Sequence, residues 1–130
     1  MIAIIPLLII LLIAYNIVVF ITGPDLAATL FSVDMVSGAV WSFTVADLFL
    51  VTGLILLFIE IVKATSTAQT SIINHGLSML VFVLCIVEFI IVPEAASSTF
   101  FFITMLALLD VVAGFSVTIT TARRDFAVGE

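Results

Sequence analysis

"FITMLALLDVVAGFSVTIT", Phe102 to Thr120, decides how the rest of the chain is read. The stretch is apolar enough for a bilayer, yet Asp110 stands near its centre. A helix rises about 1.5 Å per residue and the hydrocarbon core is about 30 Å thick, so about 20 apolar residues span it. Measured from Phe100, Asp110 lies roughly 16 Å deep, close to the midplane. Inserting an aspartate there costs about 2.5–3.5 kcal/mol, while each Phe, Ile, Leu or Val contributes up to about 0.3–0.6 kcal/mol in favour. Phe100–Ile119 holds twelve such residues. The balance favours insertion, and the aspartate then requires a protein neighbour.

Spacing says where that neighbour lies. Thr104, Ala107, Asp110, Gly114, Thr118 and Thr121 recur every three or four residues and form one small, polar helix face. Gly114, Thr118 and Ala122 follow the small-xxx-small pattern that lets helices approach closely. Phe101, Leu108, Phe115 and Ile119 make the opposite, lipid-facing side. Asp110 is therefore expected in a packed helix interface.

Composition extends this reading to the whole chain. Of 130 residues, 65% are hydrophobic and 9% charged, against about 25% charged in soluble domains. Three further runs are long enough to cross a membrane: Ile2–Ile21, Ser42–Lys63 and Ile72–Val92. With Phe100–Thr121 they predict an all-α membrane protein, a four-transmembrane-helix up-down bundle forming one domain, with Ala122–Glu130 as a tail. The first run lacks a basic n-region and exceeds the roughly 7–15 apolar residues of a signal peptide, so it is expected to be retained. Aliphatic apart from Tyr15 and Asn16, it is expected at the bundle periphery or against another subunit.

The net charge of -6 offers no basic patch for nucleic acid. One cysteine, Cys85, excludes an intrachain disulfide or a CxxC site, and one histidine, His75, argues against an intrachain bis-histidine haem. No cofactor or metal is expected. Lys63, Arg123 and Arg124 are the only basic residues, and four spans place all three on one side. The opposite loops carry Asp25, Asp34 and Glu94, so the positive-inside rule puts both termini in the cytoplasm and the protein in an inner membrane. Trp41 then falls at the outer interface.

Local signals set boundaries. "TVAD", Thr44 to Asp47, has the spacing of a capping box opening span two. Ser97, Ser98 and Thr99 offer caps for span four, and Thr70 or Ser71 for span three. In the first loop, Phe31, Val33 and Met35, then Ala39, Trp41 and Phe43, alternate around Ser37-Gly38. That pattern predicts a short hairpin at the outer face, with an interfacial helix from Pro24-Asp25 as the competitor.

An ionisable residue at membrane depth is a functional candidate once its plain explanation is weighed. Glu60 and Lys63 sit at i, i+3, and Asn74 and His75 open span three at a similar depth. The four are expected to converge at the inner mouth, as a hydrogen-bonded cluster tying helix ends or as a titratable gate. Glu88 shares a stripe with Asn74, Ser78, Val81 and Cys85, read as a helix–helix seam.

This plan resembles the small, uncharacterised four-span bacterial inner-membrane proteins. The resemblance covers the whole chain through architecture and transfers no functional residue. The small multidrug transporters share the span count but carry a glutamate in their first span, where this chain has no acidic residue. Two functions follow. The first is a non-catalytic accessory, assembly or scaffold subunit, homo-oligomeric or part of a larger membrane complex. The alternative is a proton- or ion-coupled transporter or channel using Asp110, Glu88, Glu60 and His75 at three depths. An enzyme is not expected, because no nucleophile–base or metal-ligand constellation is evident.

Overall fold

The structure is a computed structural model that describes residues 4–23, 25–65 and 69–129; within these, the side chains of 69–71, 118, 121, 122 and 125–129 lie outside the description. The chain is mostly helical. Helix α1 runs Leu8–Ile17 and continues as a π-helical segment, Val18–Thr22. Strands β1 (Thr29–Asp34) and β2 (Val40–Thr44) follow, then α2 (Val45–Ala64), α3 (Gln69–Ile91), a 3-10 turn (Pro93–Ala95) and α4 (Ser98–Gly129).

Three helices are long and apolar enough to cross a membrane: Val45–Ala64, Ile72–Ile91 and Ser98–Val117, with mean hydropathies of 2.5, 2.0 and 2.2. The first helix differs from expectation. Its regular part begins only after Pro6, whose ring leaves no amide to donate, and Gly23 ends the π segment in the left-handed region at φ 59°. Leu8–Thr22 thus covers about 22 Å, short of a bilayer core of about 30 Å. The other boundaries shift for local reasons. Ser42–Thr44, expected in span two, is spent on β2. The tail expected from Ala122 instead continues α4 to Gly129.

The hairpin expected in the first loop is present, and the competing helix is not. Asp25 Oδ1 accepts from the Ala27 amide (2.9 Å), fixing a turn where that helix would start. The strands pair antiparallel, with Phe31 opposite Phe43, Ser32 opposite Ser42 and Val33 opposite Trp41. Gly38, at φ 89°, supplies the turn conformation that L side chains avoid. β2 then runs into α2 without a linker. Thr44 is the N-cap: its hydroxyl accepts from the Asp47 amide (3.2 Å), and Asp47 Oδ2 accepts from the Thr44 amide (2.9 Å). This is the reciprocal capping box that the sequence predicts.

α4 packs against both α2 and α3, and α1 lies against all three. Around this core the outer surface is apolar; Phe58, Ile90 and Ile91 are each about 70% exposed (68%, 72% and 68%). Phe101, Phe115 and Ile119 lie on that surface as expected, while Thr104, Ala107, Asp110 and Gly114 are buried.

α1 corrects the expected periphery. Leu8, Leu11, Leu12 and Tyr15 are buried in the shared core, and Tyr15 is fully enclosed (0% exposed). Its ring packs edge-on to Phe49 and tilted against Phe100, with centroids 5.5 and 5.0 Å away. Its hydroxyl meets Ser97 Oγ (2.8 Å) and donates to the Glu94 carbonyl (3.2 Å). Gly53 lets α1 and α4 close on α2, since a Cβ there would stand 2.5 Å from Leu106 Cδ1 and 2.9 Å from Leu11 Cδ2.

Candidate functional site

The far end of the bundle from the hairpin gathers most of the buried charge. The last turns of α2 present Glu60 and Lys63, the second and third turns of α3 present Asn74, His75 and Ser78, and α4 presents Asp110 and Gly114. Glu60, Asn74, His75, Ser78 and Asp110 are all at most 5% exposed. Lys63 Nζ donates to Glu60 Oε1 at 2.9 Å, the i, i+3 pair expected from the sequence.

What draws this cluster together is the segment leading into α1. The Leu7 amide donates to Glu60 Oε1 (2.7 Å), Lys63 Nζ donates to the Ile5 carbonyl (3.0 Å), and Asn74 Nδ2 donates to the Ile4 carbonyl (3.1 Å). A helix start leaves amides without intrahelical partners and carries a partial positive charge. α1 has no side-chain cap of its own. Glu60 supplies one from a different helix, as an anion at the positive end of the dipole.

Asp110 finds its neighbour on α3. Its carboxyl hydrogen-bonds the Ser78 side chain. Ser78 Oγ also donates to the Asn74 carbonyl (3.0 Å). Glu60 and Lys63 are near enough to Asp110, and Glu60 to His75, for direct electrostatic interaction. Gly114 makes room for a side chain here, not for a second backbone. An added Cβ would lie 2.8 Å from His75 Cε1 and 2.9 Å from Nδ1, and the His75 ring also meets Phe115 (centroids 5.0 Å).

Glu88 lies apart, toward the hairpin end. Asn16 Nδ2 of α1 donates to Glu88 Oε2 (3.2 Å), leaving Oε1 buried with no hydrogen-bond partner. Glu88 is ten residues from Ser78, about 15 Å along α3, with Val81 and Cys85 buried between them. The three expected depths therefore reduce to two groups: Glu60, His75 and Asp110 together, and Glu88 alone. Asn74, Ser78, Val81 and Cys85 do form the expected buried seam.

Thr104 is buried, its hydroxyl donating to the Phe100 carbonyl (3.0 Å), and Ala107 is buried beside it. The side chains of Thr118 and Thr121, expected on the same face, lie outside the described residues, as do those of Thr70 and Ser71. Ser97 caps α4 through the Phe100 amide (3.1 Å). Sequence reasoning missed Tyr15, Gly53 and the role of Ile4–Leu7. The one available signal was that Tyr15 is the only tyrosine, set in an aliphatic span.

Glu60 keeps one further feature: its Oε2 is buried and has no hydrogen-bond partner. Among the described residues, no group of three or more His, Cys, Asp or Glu side chains is placed to hold a metal ion. The cluster can tie helix ends together through charge-assisted hydrogen bonds. It also offers two carboxyls and an imidazole among which a proton can be held. No family model, curated protein or solved structure matches this chain.

Proposed function

We propose that this chain is a four-span protein of an inner membrane, with both termini cytoplasmic. It acts without catalysis, as an accessory, assembly or scaffold subunit that packs against itself or a larger membrane complex. Three apolar helices of bilayer length support the membrane setting. Leu8–Thr22, flanked by the apolar Ile4–Leu7, is proposed as the fourth crossing. Lys63, Arg123 and Arg124 support the orientation, since an up-down path brings all three to the end away from the hairpin.

The observation that carries the subunit reading is how the interior polar groups are used. Tyr15 bonds to Ser97, Asn16 to Glu88, Glu60 to Leu7, Asn74 to Ile4 and Asp110 to Ser78. Each ties one element of the bundle to another, which suits a protein whose task is to hold a shape. Purification in a mild detergent with identification of co-purifying proteins tests this. A membrane partner at fixed stoichiometry is expected, and a chain that purifies alone would count against the subunit role.

The grouping of Glu60, His75 and Asp110 favours the second reading, proton- or ion-coupled transport. Weighing against it are Val81 and Cys85, buried in one apolar core with Ile103 and Leu106, which lie along α3 between this group and Glu88. A relay would need a polar path past them.

A further inference from the structure

The hairpin is the one element of the fold that hides almost nothing: every residue of β1 is exposed, and so are the first three of β2. Its faces nevertheless differ. Phe31, Val33, Trp41 and Phe43 pair across one side, with Phe31 and Phe43 stacked at 4.8 Å and Trp41 edge-on to both at 6.1 and 5.8 Å. On the other side the Ser32 and Ser42 hydroxyls bond to each other (3.1 Å), with Asp34 beyond them. A two-stranded hairpin is marginal in water by itself. This one carries a preassembled aromatic cluster largely uncovered by the rest of the described chain; Phe31 and Trp41 are 49% and 48% exposed, and Phe43 is partly buried.

We propose that this aromatic face docks on the headgroup and carbonyl layer of the bilayer's own outer leaflet. The inference rests on the reading that α2 crosses the membrane. Its 20 residues rise about 30 Å, the thickness of the hydrocarbon core, so a crossing α2 sets the N-cap Thr44 at the outer boundary. The hairpin starts at that residue with no linker to carry it away. Phe43 is about 3 Å and Trp41 about 10 Å along the strand from Thr44. The interfacial layer is roughly 5–8 Å deep, so a hairpin tilted toward the surface keeps both rings within it. Leu48 and Val51, exposed in the first turns of α2, continue the apolar surface inward.

The side chains fit that layer. Tryptophan and other amphipathic rings concentrate at the lipid interface. Charge identifies the lipid class: between Gly23 and Asp47 the chain carries Asp25, Asp34 and Asp47 and no Lys or Arg. Such a surface gains nothing from anionic headgroups, which recruit basic segments. The hairpin docks on neutral, zwitterionic phospholipid, and its docking does not depend on added anionic lipid. The consequence for the fold is orientation. An anchored hairpin fixes how α2 is rotated about its own axis, and so which bundle face meets a partner.

Trp41 is the only tryptophan, so the unmodified protein reports on its own hairpin. The experiment is tryptophan fluorescence in phosphatidylcholine vesicles bearing nitroxides at the headgroup, near the carbonyls, or near the terminal methyl. Expected are a blue-shifted emission, strongest quenching by the headgroup and carbonyl labels, and the same profile when about a third of the lipid is made anionic. Quenching by aqueous iodide with a red-shifted emission would overturn the proposal. So would a blue-shifted emission that no lipid label quenches, which would put a second copy or another protein on the face. Leu109→Trp in a Trp41→Phe background separates the two layers of the argument, because Leu109 is half exposed at mid-helix in α4. Quenching of that tryptophan by the terminal-methyl label, together with an unquenched Trp41, rejects the docking alone. Failure of every lipid label at both positions rejects the membrane crossing as well.

Discussion

At the hairpin end of the bundle, Tyr15 closes the core with an aromatic ring and two hydroxyl contacts; at the other end, Glu60 closes it with a charge. Both residues are buried, and both join α1 to the helices that follow it. Tyr15 does so by filling volume between Phe49 and Phe100, where packing is continuous and the hydroxyl only adds direction. Glu60 does so through a carboxylate that meets a helix amide and an ammonium on one oxygen while the other oxygen goes unpartnered. Within one small bundle, a ring fastens by contact area and a charge fastens by satisfying polar groups that burial would otherwise leave bare.

The largest expected break is at the aromatic end. Tyr15→Ala empties a fully enclosed site and should cost about 4 kcal/mol, read from denaturant unfolding in mixed micelles. A loss below about 1 kcal/mol would show that α1 is peripheral after all. Next comes Glu60→Ala, which removes the acceptor shared by the Lys63 ammonium and the Leu7 amide; a loss of about 3 kcal/mol is expected, with faster hydrogen exchange in residues 4–12 than in the hairpin. Uniform exchange across the chain would mean that Glu60 does not act through α1. Gly114→Ala sharpens the comparison by crowding alone. The new methyl pushes on the buried His75 ring and should cost about 2 kcal/mol. His75→Ala in the same background should recover part of that loss by opening the space, and no recovery would place the strain elsewhere.

Much of the architecture was legible because it is written in local patterns. Runs of about 20 apolar residues mark α2, α3 and α4, and a spacing of three and four places Asp110 inward beside Gly114. The capping box at Thr44 and the hairpin alternation are local patterns and were readable for that reason. α1 was misjudged because its role is set by shape: an aliphatic face with one tyrosine reads the same at a periphery as in a core. The N-terminal clasp was illegible for a different reason. Its acceptors are the backbone carbonyls of Ile4 and Ile5 and its donor the Leu7 amide, and backbone groups leave no mark in a sequence. Helix arithmetic gives a depth for Asp110 and not its neighbours. Only the packing of α2, α3 and α4 brings Glu60 and His75 to its side and leaves Glu88 apart.

The central claim is that the interior polar side chains are ties between helices, and Asp110 tests it most directly. Asp110→Asn keeps a donor and an acceptor for Ser78 but cannot deliver a proton, whereas Asp110→Leu keeps the volume and loses the bond. Unfolding and assembly state, measured on both variants in bilayers beside the unmodified protein, give the answer. The expected result is an asparagine variant within about 1 kcal/mol of the unmodified protein and fully assembled, with a leucine variant weakened by about 1–3 kcal/mol. A leucine variant as stable and as assembled as the original would contradict the account. So would an asparagine variant that assembles normally but loses a proton-dependent transport activity, which would move Asp110 from the frame of the protein into its mechanism.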